Sequence, residues 1–195
     1  MFGDPVTNPM GWEVGPIIKF CDCMVPGRDK PKSFTGNIPW ITIDDLVING
    51  MTYKSKNNMG LTMSEMAQVK RKPIPTGSII MSCVGNLGIL SIAGTDLVIN
   101  QQLHSFQCKS KVINTFLMFE LGWKKSYMEK MANSTTLPYM NKTICNSIHV
   151  RIPPIALQTR FADFVQQVEN TRISMQKGLE KLELGYKALM QGYFG

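Results

Sequence analysis

The side chains of this sequence best suited to chemistry lie in polar stretches rich in Asn, Gln, Ser, Thr, Lys and Tyr. Asn and Gln amides can bind adenine through two hydrogen bonds, Lys can bind guanine or phosphate, and Ser and Thr hydroxyls can bind phosphate. Each such residue alone is better explained as a solvated loop side chain, and the sequence cannot show that they share a face. The candidate DNA-binding residues are Lys30, Lys32, Lys54, Lys56, Asn57, Asn58, Asn86, Gln101, Gln102, His104, Asn133, Thr135, Thr136, Tyr139, Asn141 and Lys142.

These residues do not form a known catalytic motif. The sequence has only two histidines, His104 and His149, and no serine lies in a GxSxG sequence. There is no Walker A loop, and the glycines of Gly85-x-x-Gly88 fit a tight turn. The segment TLPY at 136–139 lacks the first two residues of the Asn/Asp-Pro-Pro-Tyr motif of amino-methyltransferases. We therefore expect no catalytic residue and no cofactor in this chain.

The five cysteines are scattered and odd in number. This pattern suits free thiols in a reducing compartment better than a disulfide framework. Cys21 and Cys23 have no second pair at zinc-finger spacing, so no metal site is expected. The sequence has no run of about twenty apolar residues, so it predicts no membrane span. The N-terminus lacks the basic end and apolar core of a signal peptide. We expect a cytoplasmic protein without a membrane partner.

The charge is distributed unevenly along the chain. The net charge is +7. Residues 1–153 carry 16 Lys and Arg against 10 Asp and Glu, whereas the remaining residues carry 5 against 4. A basic globular part followed by a nearly neutral segment suits a protein whose first part contacts a polyanion and whose last part contacts protein.

Local patterns within residues 12–152 mix strands, short helices and long polar loops, which predicts an α/β (α+β) domain. Runs at 78–84 and 89–93 flank a Gly-Asn-Leu-Gly turn and predict a β-hairpin. Residues 1–11 are rich in Pro, Gly and Asn and are expected to form an extended linker. Further strands are expected at 96–100, 106–109 and 148–152, and helices at 61–69 and 114–131.

Residues 153–195 predict one long helix, because apolar side chains recur at alternating spacings of four and three. At about 1.5 Å per residue this helix reaches roughly 55 Å, more than a small domain need cover. The pattern therefore favours pairing with a second helix, and an amphipathic helix lying on its own domain is the alternative. The residues of this heptad stripe are Phe161, Val165, Val168, Arg172, Met175, Leu179, Leu182, Tyr186, Leu189 and Tyr193, of which only Arg172 is not apolar.

An ordered set of motifs resembles one half of the specificity subunit of a Type I restriction-modification enzyme. No single motif is specific, but together they span nearly the whole chain in the family's order. They are GDPVTNPMGW at 3–12, GNIPW at 36–40, GSIIMSCVGNLG at 77–88, NQ at 100–101, STTLPY at 134–139, IPPIALQ at 152–158 with Phe161, and the ending LELGYKALMQGYFG at 182–195.

The resemblance implies a DNA target recognition domain at 12–152 and a long conserved helix at 153–195 that spaces and dimerises the protein and contacts the methyltransferase subunit. Members of the family carry two such units, whose helices pair as an antiparallel coiled coil while each domain recognises one part of a split DNA sequence. The subunit is not catalytic. It directs methyltransferase and restriction subunits, and those partners bind S-adenosylmethionine, ATP and magnesium.

The chain departs from the family because it has only one unit. It is expected to be a fragment, a truncated form or a natural half-subunit, and in each case the unpaired heptad stripe predicts a homodimer. Such a dimer places one basic domain at each end of the paired helices. We hypothesise that it binds a palindromic, bipartite double-stranded DNA target whose gap is set by helix length.

Two other functions fit parts of the sequence. The first is a non-catalytic protein-interaction module that dimerises through its helix and does not bind nucleic acid. Binding of duplex DNA that weakens steeply with salt distinguishes DNA recognition from this module. The second is a stand-alone DNA-modifying enzyme, which the missing catalytic and cofactor motifs disfavour.

Overall fold

The computed structural model describes residues 7–133 and 136–194 of the chain. Within these residues the strands are β1 (Glu13–Pro16), β2 (Cys21–Met24), β3 (Ile38–Ile41), β4 (Met51–Thr52), β5 (Gly60–Leu61), β6 (Ile79–Ser82), β7 (Leu90–Ala93), β8 (Val98–Ile99), β9 (Leu103–Cys108) and β10 (His149–Ile152). The helices are α1 (Ile17–Phe20), α2 (Met63–Gln68), α3 (Asn114–Gly122), α4 (Lys125–Met131), α5 (Lys142–Asn146) and α6 (Ile155–Phe194), and a 3-10 turn spans Ile43–Asp45.

The largest sheet has the strand order β2-β9-β6-β7-β4. β6 and β7 pair antiparallel with Ile79 opposite Ile92, which confirms the predicted hairpin. β9 pairs antiparallel with β2 and β6, and β4 pairs parallel with β7. Because side chains alternate along a strand, Ile79 and Met81 enter one apolar cluster while Ile80 enters another. The sheet is therefore covered on both faces.

Two smaller sheets complete the globular part, which we call the head (residues 12–152). β1 pairs antiparallel with β10, so the first and last strands of the head lie side by side. β3 pairs antiparallel with β5 and parallel with β8. The strand predicted at 96–100 is shorter than expected, because only Val98–Ile99 pairs with β3.

Helix ends follow local chemistry. Thr62 accepts a hydrogen bond from the Glu65 backbone while the Glu65 carboxylate accepts one from the Thr62 backbone, and this capping box starts α2. The single helix predicted at 114–131 is instead two helices, α3 and α4. α3 ends at Gly122, a residue that costs a helix interior about 1 kcal/mol relative to alanine.

The long helix α6 follows β10 directly after Pro153 and Pro154, and it runs for 40 residues. The predicted fold class, a mixed α/β head with a long C-terminal helix, is confirmed; pairing of that helix with another in an antiparallel coiled coil stays a prediction. None of the described helices combines the length and apolar content that a membrane span requires.

Candidate nucleic-acid interface

Three of the polar segments predicted from sequence meet around Cys83, at the end of β6. The Cys83 amide donates to the Gln102 carbonyl at 2.8 Å, and the Cys83 carbonyl accepts from the Met140 amide at 2.9 Å. The Gly85 amide donates to the Pro138 carbonyl at 2.8 Å. The turn at 85–88, the turn at 100–102 and the loop at 133–142 are therefore neighbours, although they are far apart in sequence.

We call the predicted residues on these three segments the polar rim. Most of them are exposed, and the two glutamines are half-buried. Thr135, also predicted for DNA binding, lies outside the described residues. The polar rim consists of Asn86, Gln101, Gln102, Asn133, Thr136, Tyr139, Asn141 and Lys142.

Asn100 organises the turn that carries the glutamines. Its side-chain amide donates to Gln102 Oε1 at 3.0 Å, and its Oδ1 accepts from the Gln102 backbone at 3.0 Å. Gln101 Oε1 is buried and has no hydrogen-bond partner among the described residues. The Gln102 amide is therefore held in place, whereas Gln101 keeps an acceptor that is not yet satisfied. Asn100 was visible in the sequence as part of the NQ motif, but its role as an organiser was not predicted.

A second predicted group, residues 54–58, is organised by the buried carboxylate of Asp45. Asp45 Oδ1 accepts from the Lys56 backbone at 2.6 Å and from the Ser55 hydroxyl at 3.2 Å, while Oδ2 accepts from the Thr42 hydroxyl at 2.8 Å. These bonds expose Lys54, Lys56, Asn57 and Asn58 together. The sequence analysis did not predict this role of Asp45.

The 54–58 segment and the turn at 100–102 are each linked to the chain at the carboxyl end of β3. The backbone amide of Asn100 donates to the carbonyl of Ile41, the last residue of β3, at 2.9 Å. Asp45 lies four residues after Ile41 and binds the Lys56 backbone. Both segments are therefore anchored close to the same strand end, one through Asn100 and the other through Asp45.

Lys30 and Lys32 lie on a separate segment, the basic loop at 26–37. Glu65 of α2 accepts from the Ser33 hydroxyl at 2.5 Å and from the Thr35 amide at 3.2 Å. The Ser33 hydroxyl and backbone donors lower the pKa of the Glu65 carboxyl to about 2. The loop is thus fixed to α2 by an ionised side chain, with both lysines exposed.

The lysines of these segments are electrostatically available. Among the described residues, none of Lys30, Lys32, Lys54 and Lys142 forms a salt bridge with a carboxylate. Unpaired surface cations of this kind can neutralise phosphates and release counterions.

His104 does not belong to this surface, contrary to the sequence prediction. Its ring is fully buried, with Nδ1 donating to the Met24 carbonyl at 2.8 Å and Nε2 lying 2.9 Å from the Asn146 side-chain amide. Burial lowers the pKa of His104, which favours the neutral ring. The contacts with Met24, Asn146 of α5 and Phe106 make this polar strand residue part of the core.

The heptad stripe of α6 is divided between the head and solvent. Phe161 packs edge-to-face on Phe119 and Phe116, with ring centroids 5.4 Å and 6.3 Å away, so this residue is engaged with its own head. Farther along, Leu182 is 74% exposed and Tyr193 is 81% exposed. Most of the stripe is therefore an apolar surface that extends over more than twenty residues of α6 and that the described residues do not cover.

The chain thus combines a mixed α/β head that has an exposed polar rim with one long helix that has an exposed apolar stripe. Over residues 9–184 the chain matches the family described as Type I restriction modification DNA specificity domain. The chain belongs to this family, which confirms the resemblance drawn from its motifs.

Curated relatives agree with this assignment. The chain is 22% identical over 193 residues to the Type I restriction enzyme MjaIX specificity subunit of Methanocaldococcus jannaschii, covering 95% of this chain and 44% of the relative. It is 21% identical over 190 residues to the MjaVIII specificity subunit of the same organism, covering 95% and 42%. The chain therefore spans less than half the length of these relatives.

Solved structures share the fold. The HsdS subunit from Thermoanaerobacter tengcongensis superimposes with a TM-score of 0.64 at 17% identity, covering 94% of this chain and 44% of the other. A chain from a structure described as the basis of complex assembly and conformational transition of the type I R-M system gives 0.67 at 18% identity, covering 94% and 45%. Head and helix are therefore arranged as in these proteins.

Proposed function

We propose that this chain is a non-catalytic unit that recognises a DNA sequence for a Type I restriction-modification system. The observation that carries the proposal is the polar rim, where amides, hydroxyls and Lys142 from segments distant in sequence come together around Cys83, at the end of β6. The amides suit base edges and the lysines suit phosphates. Membership of the specificity family supports the same function.

The proposed domains are a DNA target recognition domain at 12–152 and, at 153–195, a helix for dimerisation, spacing and contact with the methyltransferase subunit. Methyltransferase and restriction subunits then supply catalysis with their own S-adenosylmethionine, ATP and magnesium, in the cytoplasm. The protein-interaction module is less favoured, because an apolar stripe explains the helix but not the lysine-bearing rim.

A homodimer is supported by the symmetry of the heptad stripe. Its spacings read four, three, four in the same order from either end, with Lys177 at the centre. A second copy running antiparallel therefore places Met175 opposite Leu179 and Val165 opposite Leu189 along the whole helix. Each copy would cover the apolar surface that the other exposes, and the two heads would lie at opposite ends.

Arg172 is the polar position of this stripe. In the single chain its Nη2 lies 2.6 Å from Glu169 Oε1, and both side chains are largely exposed. In the antiparallel arrangement Arg172 faces Leu182 of the second copy, next to Glu183 of that copy. A charged residue at such a position disfavours other registers and so selects one alignment.

The experiment that tests the function combines this chain with its methyltransferase subunit and genomic DNA, then maps methylated bases by sequencing. The expected result is a palindromic motif split by a fixed gap. A contiguous or asymmetric motif contradicts the homodimer, and methylation that does not depend on this chain contradicts DNA recognition. Deleting one heptad of α6 should shorten the gap, and an unchanged gap would refute the spacer role.

DNA binding by the chain itself is tested with a pool of duplexes that has a randomised centre, at several salt concentrations. Replacing Lys54 or Lys142 by alanine should each reduce the slope of log affinity against log salt by about one, because one phosphate contact is lost. Lys187→Ala, on the helix, is the matched control and should leave the slope unchanged. Salt-independent binding, or none, favours the protein-interaction module.

A further inference from the structure

We infer that Gln158 is a positioning residue that fixes the angle between the head and α6 and thereby sets the gap between the two DNA half-sites. The inference rests on the proposed function, because the gap is defined only for a dimer that binds a bipartite target. Gln158 is fully buried although it belongs to the first turn of a helix that is otherwise mostly exposed.

The Gln158 side-chain amide makes three hydrogen bonds at the joint between head and helix. Its Oε1 accepts from the Ile113 amide at 2.8 Å, and its Nε2 donates to the carbonyls of Lys111 at 3.0 Å and Pro153 at 2.8 Å. Both N–H groups of the amide and its oxygen are therefore satisfied. Only an uncharged group with two donors and an acceptor can make all three bonds.

These partners connect the helix to the rigid part of the head. Lys111 and Ile113 lie between β9 and α3, and the next residue, Asn114, donates from its side chain to the Gly77 carbonyl at 3.0 Å, just before β6. Gln158 thus ties α6 to the large sheet through one turn of chain. Pro153 lies in the two-proline link, where fixed φ angles limit bending.

Phe161 supplies the second contact of the joint. Its ring meets the rings of Phe119 and Phe116 at interplanar angles of 86° and 84°. This edge-to-face arrangement is one that aromatic pairs prefer. The amide of Gln158 and the ring of Phe161 lie almost one helical turn apart, so together they resist both tilt and rotation. Beyond Glu169 every described residue of α6 is exposed, so the rest of the helix is a lever without further support from its head.

The length of this lever makes the joint decisive. About 35 residues follow Gln158, a length of about 50 Å at 1.5 Å per residue. A tilt of about 5° at the joint would displace the far end by about 4 Å. One base pair occupies about 3.4 Å along the DNA axis. In the proposed dimer the far end of α6 lies beside the second head, so a loosened joint would let the two heads shift sideways relative to each other by about one base-pair step and would relax the selection of a single gap.

The test compares Gln158→Met, which keeps the volume but removes the three hydrogen bonds, with Gln166→Met on the exposed side of the same helix. Both full-length variants select duplexes from a pool with a randomised centre, and circular dichroism checks that each is folded. The expected result is that Gln158→Met enriches the wild-type half-site sequences at two or more gap lengths, whereas Gln166→Met and wild type enrich one. One unchanged gap length in folded Gln158→Met overturns the inference. If Gln158→Met does not fold, Phe161→Leu loosens the same joint and decides the question in its place.

Small-angle scattering of the dimer separates failure of this inference from failure of the proposed function. Loss of the joint should broaden the distribution of head-to-head distances in Gln158→Met relative to Gln166→Met, with or without DNA. If wild type selects no split motif, the proposed function fails, and the scattering still decides whether Gln158 fixes the angle. Identical distributions for both variants refute the positioning role.

Discussion

Arg151 and Glu120 form a buried ion pair that joins β10 to α3. Arg151 Nη2 lies 2.7 Å from Glu120 Oε2, and Arg151 Nε lies 3.1 Å from Glu120 Oε1. Both side chains are at most 2% exposed, and the guanidinium also lies 5.4 Å from the ring centre of Trp123. Because β10 leads directly into α6, this pair holds the strand from which the long helix departs.

Removing one partner of this pair should destabilise the fold strongly. Glu120→Gln leaves the Arg151 charge buried without a counterion, and we expect a loss of about 3–5 kcal/mol in the free energy of unfolding. Urea denaturation measures the loss. Glu13→Gln, which breaks the exposed pair with Lys19 at 2.5 Å, is the control and should cost less than about 1 kcal/mol. Similar losses in free energy of unfolding for both variants would show that burial does not determine how much the Arg151–Glu120 pair contributes to stability.

His104 should make stability depend on pH. Burial lowers its pKa in the folded state, so between that value and the unfolded value of about 6.5 the unfolded chain binds more protons. Stability should therefore fall as the pH decreases below about 6.5, by at most about 1.4 kcal/mol per pH unit. Urea denaturation of His104→Gln at several pH values should show an unfolding free energy that depends less on pH than in wild type. The same measurement on His149→Gln, which replaces an exposed histidine, should not. An unchanged profile in His104→Gln would exclude this histidine as the source.

The centre of the heptad stripe should control assembly. Leu179→Glu places a charge at the middle of the proposed interface, opposite Met175 of the second copy, and should convert the dimer to a monomer because that charge cannot stay hydrated there. Sedimentation velocity measures the change. Lys181→Glu, on the opposite face of α6, should remain dimeric. A dimeric Leu179→Glu variant would mean that another surface mediates association.

Glu65 should protect the basic loop from proteolysis. Glu65→Gln weakens the bonds to Ser33 and Thr35, since a neutral amide is a poorer acceptor than a carboxylate. Trypsin should then cleave after Arg28 and Lys32 faster than in wild type at neutral pH, as followed by mass spectrometry. The exposed Glu129→Gln is the control. Because the pKa of Glu65 is about 2, its stabilising effect is present above about pH 4 and is lost only as the pH falls toward 2.

Several elements could be predicted because their signal is local. The hairpin of β6 and β7 follows from two β-rich runs around a Gly-Asn-Leu-Gly turn, and α6 follows from a repeat that persists for more than thirty residues. The division of the segment 114–131 into two helices at Gly122 was not predicted, because propensity alone does not decide whether a helix bends or ends.

The candidate site was less predictable, because burial is not a local property. His104 and Gln102 lie two positions apart in sequence, yet the His104 ring is buried against Met24 and Asn146 while the half-buried Gln102 belongs to the polar rim. The same holds for Asp45, whose role in ordering residues 54–58 depends on contacts across a loop. Whether the predicted residues bind DNA stays a prediction.

The sequence by itself determined the long helix, the symmetry of its heptad stripe and the ordered motifs that place the chain in its family, since each depends on residue type and spacing along one chain. Only the tertiary structure decided that the polar rim assembles around Cys83, that Phe161 is engaged by the head, and that Gln158 joins helix to sheet. These are contacts between residues tens of positions apart. They arise from strand order and burial, which local periodicity does not encode.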